Sequence, residues 1–169
     1  MATSGTPSRP TQVVAIRHGE TVWNQQGRFQ GQRDSPLTPL GCTQADALAA
    51  RLAGERFAGA VTSDLERSVA TCRRLLVHHP DVPVHLEPRF RERDFGVLSG
   101  LTRAEALARD PAFEAAYRTH DPAARAPGGE SSRELQARAM EALEAWGRTF
   151  AGQRWLLVAH GGVLGVIFR

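Results

Sequence analysis

Apolar residues in this chain fall into a few short unbroken runs, separated by stretches where they recur every three or four positions. Thr11–Ile16 is short, β-branched and apolar, which predicts a buried central strand. Thr38-Pro39 then reads as an N-cap followed by proline at the first helical position, and Leu40, Ala45, Leu48, Ala49 and Leu52 follow at helical spacing. Further strands are expected at Ala58–Thr62, Val82–Leu86 and Arg154–Ala159, with a last helix over Gly162–Phe168. Three capping boxes, Ser63/Glu66, Thr102/Glu105 and Ser131/Glu134, predict helices near 64–78, 103–109 and 132–150. Pro122, Pro127, Gly128 and Gly129 mark 120–130 as a loop. Strands alternating with helices give an α/β fold: a three-layer sandwich with a mostly parallel central sheet and helices on both faces.

Composition changes this picture little. The chain has 169 residues, 41% hydrophobic and 23% charged, as a globular domain should. One domain over 11–169 is expected, behind a tail at 1–10 that lacks the apolar core of a signal peptide. No apolar run is long enough for a membrane span. Every one of the 21 basic residues is arginine, yet the net charge is only +3 and no basic run interleaves with aromatics, so nucleic acid is not an expected partner. Cys42 and Cys72 form neither a disulfide framework nor a zinc pattern, which points to a reducing cytoplasm. His78, His79 and His85 read as solvated residues at a helix end and on an edge strand, and no magnesium or zinc motif or other cofactor signature appears.

The first expected strand ends in Arg17-His18-Gly19-Glu20-Thr21 and the fourth in His160-Gly161-Gly162. Ligands of parallel α/β sheets bind beyond the carboxyl ends of strands, so both histidines fall on the rim where a site belongs. Arg67 lies in the first turn of a helix, an electropositive end where a further cation is disfavoured unless an anion binds. With a phosphoryl group at the centre, Arg17 and Arg67 offer planar forks and His160 a donor. His18 can attack phosphorus as a neutral imidazole, which the arginines favour. Glu92, after the third strand, is the candidate acid and base.

These residues sit in a recognisable order of motifs. Arg17-His18-Gly19-Glu20-Thr21-Val22-Trp23-Asn24, Gly27-Arg28-Phe29-Gln30-Gly31 and Asp34-Ser35-Pro36-Leu37-Thr38 resemble the histidine phosphatase superfamily, in the branch of phosphoglycerate mutases and small phosphatases. Ser63-Asp64-Leu65-Glu66-Arg67-Ser68, the Glu92 segment, Pro127-Gly128-Gly129-Glu130-Ser131 and Ala159-His160-Gly161-Gly162 continue the pattern, which spans 13–168. The resemblance implies that His18 is phosphorylated, that Arg17, Arg67 and His160 hold the phosphoryl group, and that Glu92 is the acid/base. It also implies that Asn24, Gln30, Gly31 and Gly161 line the pocket.

About 28 residues separate Gly100 from Gly128, room for a small helical lid at 101–127 and not for the longer insertions of mutases. A metal-independent phosphatase acting on a small phosphorylated metabolite is therefore expected, ahead of a mutase or a phosphate-sensing module without catalysis. A homodimer is possible. The chain ends a few residues past His160, whereas relatives continue; Val163, Leu164, Val166, Ile167 and Phe168 are expected to lie under that continuation.

Overall fold

Strands and helices alternate along residues 9–168, the part of the chain that the computed structural model describes; residues 1–8 of the expected tail, and Arg169, lie outside the described residues. The elements are β1 (Gln12–Arg17), α1 (Val22–Gln25), α2 (Pro39–Leu52), β2 (Ala60–Thr62), α3 (Glu66–Leu75), β3 (Val84–Leu86), α4 (Arg103–Arg109), α5 (Pro111–Arg118), α6 (Ser132–Thr149), β4 (Arg154–Ala159) and α7 (Gly161–Ile167). The sheet is parallel throughout, in the order β1-β4-β2-β3.

Period-two alternation feeds two cores. Trp155, Leu157 and Ala159 of β4 join Val61, Leu135, Ala139, Ala142 and Val163 beneath α6 and α7. Leu156 and Val158 face Ala60, Cys72 and Leu75, with Leu48 and Leu52 of α2 packed alongside. A third cluster of Phe95, Leu98, Ala106, Phe113, Ala124 and Ala126, joined by Phe29 and Tyr117, gathers α4, α5 and the loop after them.

Sequence and structure part in two places. Strand β1 is an edge strand, half-buried along Val13–Ile16, and the central position belongs to β4. Its continuous apolarity reflects two covered faces, since Val13 and Ala15 pack with one core and Val14 and Ile16 with the other. Second, Ser63 does not cap α3, which starts at Glu66 without a local side-chain cap. The Ser63 hydroxyl is held by the His160 ring, 2.8 Å away. In α7, Val163 is fully buried, Leu164, Val166 and Ile167 are half-buried against the α6 core, and Phe168 is exposed. The other two capping boxes and the Thr38-Pro39 start form as expected.

Two glycines let the turn after β1 rest against α2. A Cβ on Gly19 would stand 2.4 Å from the Gly41 carbonyl oxygen, and one on Gly41 would stand 2.1 Å from the Glu20 oxygen. Both obstacles are backbone, so neither can swing aside. Gly41→Ala is expected to cost about 1–3 kcal/mol by overpacking, read as a lower urea midpoint at unchanged m-value.

Candidate active site

Strand register builds the centre of the site. Arg17 is paired with Ala159, and the His18 amide donates to the Ala159 carbonyl at 3.0 Å. The next residue on each strand is therefore a histidine, and the two rings lie 5.2 Å apart. The adjoining strand end supplies Ser63, whose amide bonds the Val158 carbonyl.

His18 is buried, and its Nδ1 lies 2.8 Å from the Gly19 carbonyl oxygen. A carbonyl only accepts, so Nδ1 carries the proton and Nε2 keeps a lone pair. Burial, with Arg67 and Arg17 adding to it, lowers the His18 pKa to about 4. Neutral imidazole with a free Nε2 is the form a nucleophile requires.

His160 lies behind that ring, fully buried. Its Nε2 contacts the Ser63 hydroxyl at 2.8 Å and the Ser68 hydroxyl at 3.3 Å. Burial and the Arg67 charge hold its pKa well below the usual histidine value. Its Nδ1 has no partner among the described residues. It forms no part of the cavity wall, although the sequence places it at the rim.

Arg67 is 1% exposed at the second position of α3. It donates Nη1 to the Arg33 carbonyl at 2.8 Å and to Asp34 Oδ1 at 3.0 Å, and Nη2 to the Gly31 carbonyl at 2.7 Å. Its Nε is a second buried polar atom without a partner among the described residues. Burial pulls its pKa down, and Asp34 opposes that. The same Asp34 carboxylate accepts from the Glu66 amide at 2.9 Å and the Arg67 amide at 3.4 Å, so it caps α3 from 32 residues upstream. Local spacing rules could not find this cap, because it forms across the fold.

Arg17 is exposed beside Gly161 and makes no side-chain hydrogen bond among the described residues. Asn24 lines the cavity and closes a capping box with Thr21, which uses its Oδ1. Gln30 is buried with an unpaired Oε1; exchanging its amide atoms would offer a donor there. Gly31 lines the cavity, while its carbonyl holds Arg67. Glu92 accepts from the Arg93 amide at 2.8 Å and the Gly162 amide at 2.9 Å. A Cβ on Gly162 would stand 2.1 Å from Glu92 Oε1, so the second glycine after His160 makes room for the carboxylate.

The cavity encloses about 750 Å³. Arg17, His18, Asn24, Gln30, Arg67 and Glu92 form one side, with Phe29, Phe95, Tyr117, His120 and Asp121 on the wall beyond. Among the described residues no three His, Cys, Asp or Glu side chains cluster as metal ligands. His79 and His85 instead meet Phe57 and Trp146.

The family described as histidine phosphatase superfamily (branch 1) matches residues 13–169. A metal-independent phosphoserine phosphatase of Arabidopsis thaliana is 39% identical over 95% of this chain and 68% of its own. A protein named probable phosphoglycerate mutase from Photorhabdus laumondii is 38% identical over 92% and 72%. The solved structure of a mycobacterial glucosyl-3-phosphoglycerate phosphatase superposes with a TM-score of 0.83, at 33% identity, over 92% of this chain and 76% of that one.

Two predictions follow from the geometry. Asp34→Ala strips Arg67 and two helix amides of their acceptor, at a cost of about 1–3 kcal/mol, and should weaken binding of inorganic phosphate in calorimetry, with Asp34→Asn recovering part of both. The second concerns pH. Between its ordinary value of 6.5 and about 4, the unfolded chain binds a proton at His18 that the folded chain refuses. Stability therefore rises with pH across that window and falls as pH drops through it, by on the order of 3 kcal/mol. Urea unfolding across a pH series should show the slope, and His18→Gln should reduce it, leaving the part that His160, also held below its ordinary value, contributes.

Proposed function

The chain belongs to branch 1 of the histidine phosphatase superfamily, and on that footing we propose that it hydrolyses phosphomonoesters of small metabolites through a phosphohistidine on His18. The observation that carries this reading is a buried donor of the cavity wall without a partner among the described residues, Arg67 Nε, beside a neutral histidine. An unpaired buried donor is costly, and a phosphoryl oxygen would satisfy it.

In the first step His18 Nε2 attacks phosphorus and forms the P–N bond. The P–O bond to the leaving group breaks, and Glu92 gives that oxygen a proton. In the second step Glu92 takes a proton from water as its oxygen attacks phosphorus. The P–N bond breaks, releasing phosphate and neutral His18. Arg17 and Arg67 neutralise charge on the equatorial oxygens, with the Asn24 amide, Gln30 and the turn at Gly161 completing the cradle. Gly31 contributes by holding Arg67 in place. Because the arginines supply the positive charge, the chemistry needs no metal ion.

Residues 101–127 act as a short lid, with Tyr117, His120 and Asp121 forming wall and mouth. A cavity of about 750 Å³ with Arg17 exposed to solvent leaves water room to serve as acceptor, which favours hydrolysis over return of the phosphoryl group to a second hydroxyl. The free thiols Cys42 and Cys72 fit a reducing cytoplasmic setting.

The test is hydrolysis of 4-nitrophenyl phosphate in excess EDTA. Wild type should turn over, and His18→Ala should lose more than about a thousandfold in kcat while keeping its fold by circular dichroism. Equal activity in the two proteins would remove His18 as nucleophile, and loss of wild-type activity in EDTA would overturn the metal-free mechanism.

A further inference from the structure

Glu92 stands on backbone that belongs to no helix or strand, between single turns at Pro88–Phe90 and Gly96–Leu98. Its own carboxylate contacts cannot fix that backbone, yet acid catalysis depends on where the carboxyl group sits to within an ångström or so. The restraint comes from α6 and from the loop that leads into it. Arg138 donates Nη1 to the carbonyls of Arg89 and Arg91, both at 2.7 Å, and Nη2 to the carbonyl of Glu92 at 2.9 Å. Its Nε reaches Glu130 Oε2 at 3.0 Å, and Nη2 also pairs with Glu130 Oε1. Glu130 in turn accepts from the Asp94 amide at 2.9 Å, and its own amide donates to the Asp94 carbonyl at 2.9 Å.

The main chain is therefore gripped on both sides of Glu92, by an arginine before it and a glutamate after it, and the two grips are joined by an ion pair. Both side chains are mostly buried, 21% and 16% exposed, and neither lines the cavity. We propose that Arg138 and Glu130 are positioning residues for Glu92, setting the place from which it delivers a proton to the leaving group. The proposal rests on the acid/base role given to Glu92 above. A planar guanidinium suits the task, since one fork spans three carbonyls and a carboxylate; a lysine ammonium, a point donor, cannot reproduce it.

The experiment compares two phosphate monoesters that differ in their need for an acid. 4-Nitrophenolate leaves with little help, whereas the alkoxide of glycerol phosphate must be protonated as it departs. kcat/KM reports the step in which that bond breaks, so it is measured on both esters for wild type, Arg138→Lys, Glu130→Gln and Glu92→Gln. The expected result for Arg138→Lys and Glu130→Gln is a fall of about a hundredfold on glycerol phosphate with less than about a threefold change on 4-nitrophenyl phosphate. That selectivity should match the direction seen with Glu92→Gln. Loss of stability alone would scale both esters together, so parallel losses, or no loss in either variant, would overturn the proposal while Glu92→Gln still discriminated. If Glu92→Gln itself failed to discriminate, the acid role of Glu92 would fall, and the positioning role with it. Two variants on opposite sides of the grip keep the test decisive if one of them does not fold.

Discussion

The pairing of β1 with β4 is the constraint from which the site follows. Parallel register sets Arg17 against Ala159, so the first residues past the ladder are His18 and His160, brought together from 142 positions apart in sequence (160 − 18). A slip of one residue would turn every side chain of β1 to the opposite face. It would also exchange the strand's contributions to the two helix layers, which Val13 and Ala15 share on one side and Val14 and Ile16 on the other. Core packing and catalytic geometry are thus selected by the same register, and the stability of one secures the other.

Around that pair the protein manages buried charge with neutral oxygens as much as with opposite charges. Arg67 is surrounded by two carbonyls and one carboxylate, and Asp34 spends both its oxygens on that arginine and its helix. Arg93, also buried, points its donors at the Glu130 and Ala124 carbonyls and the Ser132 hydroxyl, and lies over the rings of Phe95, Phe113 and Tyr117. It thereby ties the α4–α5 cluster to the start of α6. Carbonyl acceptors leave a guanidinium positive without neutralising it, which suits a cavity meant for an anion. Arg67, Arg93 and Arg138 each use a planar fork that a lysine could not supply.

The sequence alone determined the alternating α/β order, the strand ends that carry His18 and His160, the helix starts at Thr38, Thr102 and Ser131, and part of the cavity lining, from Arg17, His18 and Asn24 to Arg67 and Glu92. Those features are local: periodicity, a cap and its partner three residues on, a glycine where backbone must come close. Tertiary structure decided the rest. It made β1 an edge strand, because an apolar run records covered faces and not a place in the sheet. It took Ser63 from the helix cap to His160, and gave the cap to Asp34, because a buried imidazole nitrogen must find a partner and a side chain 32 residues away arrived at the vacant amides. It placed His160 behind the wall and left Nδ1 unpaired. Hydrogen bonds between residues remote in sequence leave no spacing to read, so which of several competent partners wins is settled only when the chain has packed.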